Sequence, residues 1–233
     1  MNHPLRQAEF IYGVAGDDQL PPPGPPEIAF AGRSNAGKSS AINALANRTK
    51  LAFTSKTPGR TQQINFFRLR GGALLVDLPG YGYAAVPQTL KRHWQHFLGR
   101  YLETRQSLVG LALVVDARHG VSELDRRLLA GYLTSGRPVL VLATKLDKLP
   151  PSAQRASKRA IERDIAAAFP VHAAQVVVVG FSATRHIGIE EAEAILAGWL
   201  GEPVTDTAVP APGAAKERAP RSRGMARGPK DPR

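Results

Sequence analysis

Six short apolar runs, rich in β-branched residues and separated by helical patterns, constrain this chain more than any other feature. They are EIAFAG (27–32), INFFRL (64–69), ALLVDLPG (73–80), LVGLALVVDA (108–117), PVLVLATK (138–145) and QVVVVGFS (175–182). Strands that are apolar at every position are buried on both faces, as in a mostly parallel sheet covered by helices. The intervening periodicity predicts helices at 38–46, 90–104, 122–135, 152–169 and 189–200. In the third of these, Leu124, Leu128 and Tyr132 recur every four residues, the stripe of a helix lying on a sheet. Between the second and third runs, Arg70-Gly71-Gly72 is too short for a crossover and must be a hairpin, so one strand runs antiparallel. The expected fold is an α/β three-layer sandwich around a six-stranded, mostly parallel sheet with one antiparallel strand.

With 233 residues, 43 % of them hydrophobic, the chain can bury one substantial core. Residues 1–26 end in the run LPPPGPP, which fixes backbone angles and removes amide donors, and they read as a leader strapped to the surface. Residues 203–233 are rich in Pro, Ala, Gly and Arg without apolar periodicity, and read as a disordered basic tail. The domain is then 27–202. The absence of cysteine excludes a disulfide framework and thiolate zinc sites, so a cytoplasmic location is expected; a monomer is the default expectation. The longest apolar stretch, Leu108 to Val115, is too short to span a membrane, and no secretory-type apolar run opens the chain. A net charge of +12 calls for a polyanionic partner. RNA and an anionic membrane surface both satisfy that inference, and charge alone does not separate them or exclude a plain solvated basic surface.

Gly32-Arg33-Ser34-Asn35-Ala36-Gly37-Lys38-Ser39 fits G-x4-G-K-[ST] and lies between an expected strand and an expected helix, where a phosphate-binding loop must lie. Glycines let successive amides fold around phosphate oxygens, and the helix amino terminus adds positive charge at that point. Lys38 would bridge the β- and γ-phosphates, and the Ser39 hydroxyl would ligate Mg2+. Asp77-Leu78-Pro79-Gly80 ends a neighbouring strand, where open α/β sheets place ligands. Asp77 can hold the metal through a water, and the Gly80 amide can approach a γ-phosphate. Lys56 to Gln62 form a polar loop expected to be ordered by nucleotide, with Gly59, Arg60, Thr61, Gln62 and adjoining Gln63 at the ligand. Thr61, just ahead of INFFRL, is a better second Mg2+ ligand than Thr57. Lys38, Thr61 and Gly80 are the residues expected to act on the reacting phosphate.

Thr144-Lys145-Leu146-Asp147 follows another buried strand and turns a generic nucleotide fold into a guanine reader. The Asp147 carboxylate can accept from guanine N1–H and the 2-amino group together, whereas adenine would leave that charge unpaired. The Lys145 stem would pack over the base. Phe181-Ser182-Ala183 follows the last strand, and its small residues let a backbone amide approach guanine O6.

The ordered set GRSNAGKS, TPGRTQ, DLPGYGYA, TKLD and FSA resembles the EngB family, also called YihA or YsxC, within the TRAFAC class of P-loop GTPases. The resemblance runs from about Glu9 to Leu200. It implies a Ras-like fold, GTP and GDP as ligands with Mg2+, a role in assembly of the large ribosomal subunit through that subunit or its rRNA, and a requirement in cell division and septation. Ras-like enzymes orient the attacking water with a glutamine directly after D-x-x-G; here that position is Tyr81, so slow intrinsic hydrolysis is expected until a partner completes the site. Relatives with an asparagine at the place of Asn35 use it to hold K+; the alternative is an asparagine that stabilises the loop turn. The helix after DLPGYGYA carries Lys91, Arg92, His93, Trp94 and His96, a mixture suited to RNA, although Trp94 and Phe97 also suit a helix core. A division-site signalling or scaffold GTPase acting through lipid or protein is the second reading.

Overall fold

The computed structural model describes residues 5–52, 63–82 and 88–201, with backbone alone for 88–95. Strands β1 (Glu9–Val14), β2 (Glu27–Gly32), β3 (Ile64–Arg68), β4 (Leu74–Asp77), β5 (Leu108–Asp116), β6 (Val139–Thr144) and β7 (Val176–Gly180) form one sheet in the order β1-β3-β4-β2-β5-β6-β7. Helices α1 (Lys38–Leu45), α2 (Gln88–Thr104), α3 (Glu123–Leu133), α4 (Pro151–Ala168) and α5 (Ile189–Leu200) connect and cover it. The pairings of β2 with β4 and β5, of β5 with β6, and of β6 with β7 are parallel. Strand β3 is antiparallel to both of its neighbours, β1 and β4, and is therefore the one reversed strand.

The sheet has seven strands where six are legible in the sequence. The additional one, β1, comes from the stretch read as a leader. It sits at the sheet edge, where Glu9 and Phe10 are exposed and only Val14 is fully buried, so it lacks the unbroken apolar run that marks the inner strands. The β3–β4 hairpin closes through Leu69 N–H to Ala73 O at 2.8 Å and Gly72 N–H to Leu69 O at 2.9 Å. Gly72 turns it at φ 84°, a conformation that costs a side-chain-bearing residue energy.

Alternation along the strands divides the core into two layers. Leu111, Leu113 and Val115 of β5 face Tyr101, Leu129 and Ile161 from α2, α3 and α4. Ala112 and Val114 face the other way, into a cluster with Ile42 and Leu45 of α1 and Leu196 of α5. Helix α3 buries a different face from the expected one. Asp125, Leu129, Tyr132 and Leu133 point inward, while Leu124 and Leu128 are only half-buried. The rotation follows from Asp125, which closes a capping box with Ser122 and is held from the core side by a tyrosine hydroxyl.

At the amino edge of the parallel strands lies a buried polar knot. Glu27, with no exposed surface, accepts from Tyr101 Oη at 2.6 Å, Ser107 Oγ at 2.8 Å, Arg105 Nε at 3.0 Å and Arg105 Nη2 at 2.5 Å. Arg105 also donates to the Pro21 carbonyl at 2.6 Å. The proline run contributes no amide donors but keeps its carbonyls, and the guanidinium uses one of them to pin that segment to the sheet.

Candidate nucleotide site

Strand β2 is buried at every position and delivers Gly32 to the carboxyl edge of the sheet, where the chain turns through Arg33–Gly37 into α1. Gly37 caps the helix at φ 101°, and Asn35 sits at φ 66°, where asparagine is favoured among side-chain-bearing residues. The first turn of α1 holds no acidic residue, which leaves the amide-rich helix start attractive to an anion. Thr144, from the end of β6, places its hydroxyl within hydrogen-bond distance of the Ala36 carbonyl and 3.0 Å from that of Val115. The loop is thus braced from the strand two places away.

The Lys38 ammonium pairs with the Asp77 carboxylate at the end of β4, and both side chains are nearly buried. Ser39 lies one residue further on, 8 % exposed. A hydroxyl and a carboxylate beside a phosphate-binding loop are the hard oxygen donors that Mg2+ takes. Among the described residues no group of three or more His, Cys, Asp or Glu could hold a metal by itself.

After Asp77, Leu78 is buried in the core and donates its amide to Phe30 O at 3.0 Å, so any contribution of Leu78 to a ligand comes from its backbone. Pro79 is also buried. Gly80 lies tight on the phosphate loop: a Cβ there would be 3.2 Å from Ser34 Oγ and 3.4 Å from Ser34 N. The next residue, Tyr81, is sewn down on both sides. Its carbonyl accepts from Ser34 N at 2.8 Å, and its phenol donates to Asp125 Oδ1 at 2.6 Å. Burial first, and the Asp125 carboxylate second, push the Tyr81 phenol well above its ordinary pKa. Its hydroxyl is therefore committed to α3.

Lys145 takes φ 56° at the end of β6 and reaches across to the phosphate loop, with Nζ 2.5 Å from Asn35 O and 2.9 Å from Asp116 Oδ2. It ties the base-side loop to the phosphate-side loop, a role beyond the stacking expected from sequence. Asp116 carries no sequence motif of its own, although it ends a buried strand just as Asp77 does. Desolvation pushes its carboxyl up, but hydrogen bonds from Arg118 (2.7 and 2.9 Å) and from Lys145 outweigh that and hold it well below the usual carboxylate range. Leu146 and Asp147 follow in a short 3-10 turn.

Ser182, fully buried after β7, donates to Asp147 Oδ1 at 2.6 Å, and this bond holds the Asp147 carboxyl below its ordinary pKa. The Leu146 amide donates to Phe181 O at 3.1 Å, so the two base-side loops are joined through backbone and side chain. Phe181 anchors its loop in the core, and Ala183 is half-buried. Gln63 stands against β1, its side-chain oxygen 2.7 Å from where a Cβ on Gly13 would stand. Gly59, Arg60, Thr61 and Gln62 lie outside the described residues, as do the side chains of Lys91, Arg92, His93 and Trp94. In α2, His96 is exposed and Phe97 is core.

The strand ends thus bring Lys38, Asp77, Lys145, Asp147 and Ser182 to one edge of the sheet. The family model described as "50S ribosome-binding GTPase" matches residues 27–145. The probable GTP-binding protein EngB of Aromatoleum aromaticum is 53 % identical over 209 residues, 89 % of this chain and 95 % of that one. Its counterpart in Azoarcus sp. strain BH72 is 51 % identical, over 89 % and 98 % of the two chains. A crystal structure of a probable GTP-binding protein EngB superposes with a TM-score of 0.58 at 21 % identity, covering 76 % of this chain and 99 % of that one, a likeness of fold. On this agreement of motif order, site geometry and sequence identity, the chain belongs to the EngB family of P-loop GTPases.

Proposed function

We propose that the protein is a monomeric cytoplasmic switch that binds GTP with Mg2+, hydrolyses it slowly, and acts in large ribosomal subunit assembly, with normal cell division and septation depending on it. The observation that carries the nucleotide part is the joining of a phosphate loop, Lys38–Asp77 and Ser182–Asp147 along one sheet edge. The Gly32–Ser39 loop would cradle the phosphates, Lys38 would neutralise charge on the β- and γ-phosphates, and Asp147 would read guanine. Ser39, Thr61 and Asp77 would hold Mg2+, which offsets charge on the phosphate oxygens during transfer to water. The partner rests on the net charge of +12 and on the matching ribosome-binding family model. No helix among the described residues is long and apolar enough to cross a membrane.

Slow hydrolysis rests on Tyr81. Its phenol is occupied by Asp125, and the side chain offers no amide pair to orient the attacking water. Single-turnover hydrolysis by the purified protein is expected to be far below the roughly 5–20 s⁻¹ of an activated GTPase and to rise when large ribosomal subunits are added. Turnover at tens per second by the protein alone contradicts this reading. Stimulation by acidic vesicles but not by subunits favours the division-site alternative. Running the assay in K+ and in Na+ separates the two roles of Asn35: its left-handed φ supports loop stabilisation and equal rates, whereas a K+ ligand gives faster hydrolysis in K+.

A further inference from the structure

The outward face, or crest, of α4 carries a row of three arginines. Arg155, Arg159 and Arg163 stand one turn apart and are all exposed. At 1.5 Å per residue they form a row about 12 Å long, with a guanidinium about every 6 Å. Positions beside them on the crest are Ser152, Ala156 and Ala160, all exposed and small. Glu162 borders the row three residues beyond Arg159, and Lys158 Nζ stands 3.8 Å from its carboxylate.

A merely solvated helix face mixes signs and pairs them at i,i+4, and this protein does so nearby. Lys158 pairs with Glu162 on the flank of α4, Arg127 pairs with Glu123 on α3, and Arg126 pairs with Asp164 between the two helices. Among the described residues, the three crest arginines have no such partner. The row is also arginine throughout, the side chain whose planar fork matches phosphate oxygens in pairs. The small residues beside it let a bulky polyanion come down onto the helix barrel. A helix that docks on lipid would instead carry Leu, Phe or Trp beside its cations, and this crest carries alanine.

We propose that the α4 crest is an RNA-binding surface on which Arg155, Arg159 and Arg163 grip successive phosphates of a ribosomal RNA strand. This rests on the ribosomal reading above and names the surface that serves it. The helix starts three residues beyond the base-side turn Leu146–Lys148, so its amino end lies beside that turn.

The test uses the full-length protein and separated large ribosomal subunits in a filter-binding titration at several salt concentrations. The triple variant R155Q/R159Q/R163Q is compared with the unaltered protein and with R48Q/K50Q/R70Q, which removes the same charge from exposed positions elsewhere. The crest variant is expected to bind at least tenfold more weakly, and the slope of log affinity against log salt to fall by about 2–3, as for three lost phosphate contacts. GDP affinity should be unchanged, since none of the three touches the nucleotide site. Equal loss in both triple variants reduces the effect to net charge and overturns the proposal, as does unchanged binding by the crest variant. Loss of binding to phosphatidylserine vesicles alone assigns the crest to lipid and also overturns it. If the unaltered protein fails to bind subunits at all, the ribosomal reading falls, and the crest proposal with it.

Discussion

Replacing Asp147 with asparagine is expected to weaken GDP binding by about 10^4-fold and to turn the protein toward xanthine nucleotides, as measured by calorimetric titration with GDP and XDP. Guanine offers two donors, N1–H and the 2-amino group, and in the proposed site the Asp147 carboxylate would accept both. Asparagine accepts only one and points its own donor at the other, a mismatch that costs most where the groups are desolvated. Xanthine carries a carbonyl in place of the amino group and meets that donor correctly. Ser182 prepares the carboxylate by donating to Oδ1 at 2.6 Å, and it favours the charged form. The sign follows: a carboxyl with a depressed pKa stays charged as pH falls into the ordinary carboxylate range, so guanine binding persists there. Ser182→Ala removes this support and should make GDP binding fail at a higher pH. Unaltered guanine preference in the Asp147→Asn protein would remove Asp147 from the base site.

The second large effect lies at the other end of β2, about 17 Å from the phosphate loop by strand rise. Arg105→Ala is expected to destabilise the fold by about 3–5 kcal/mol in urea unfolding, because it leaves the Glu27 carboxylate buried without its cation. Tyr101 and Ser107 still donate to Glu27, but two neutral hydroxyls do not replace a guanidinium. The variant also frees the Pro21 carbonyl. Replacing both members, with Glu27→Met and Arg105→Leu, should cost much less, since the uncompensated charge disappears with its partner. In either protein the folded fraction should bind GDP normally, because the knot and the site occupy opposite ends of one strand. A loss below 1 kcal/mol in the single variant would mean that water reaches Glu27.

What the sequence reveals depends on how local the determinant is. The inner strands and all five helices are legible because a strand covered on both faces is a nearly continuous apolar run, with polar residues such as Glu27 and Asp77 only at its ends, and a covering helix must show a stripe. Strand β1 is not, since an edge strand with exposed Glu9 and Phe10 need satisfy neither rule. The phosphate loop, Asp77 and Asp147 could be proposed from sequence because each lies in a contiguous motif whose chemistry dictates residue type, and the strand ends bring all three to one edge of the sheet. Asp116, Lys145 as a tie between loops, and Tyr81 held by Asp125 could not be, since each joins residues 29 to 110 positions apart in the chain. Such pairings follow from the strand order, which no local pattern encodes. The face that α3 buries is a case in between: the period was visible, but the partner that turned Asp125 inward lies on another loop.

The proposed function requires the large ribosomal subunit to distinguish the GTP-bound from the GDP-bound protein. Sedimentation of the purified protein with separated subunits, in GDP and in a non-hydrolysable GTP analogue at two salt concentrations, tests that most directly. Pelleting with the large subunit is expected in the GTP analogue and weaker pelleting in GDP, with a difference between nucleotides that survives the higher salt. Equal pelleting in both nucleotides, lost together as salt rises, would contradict that requirement and reduce the basic surface to non-specific RNA affinity.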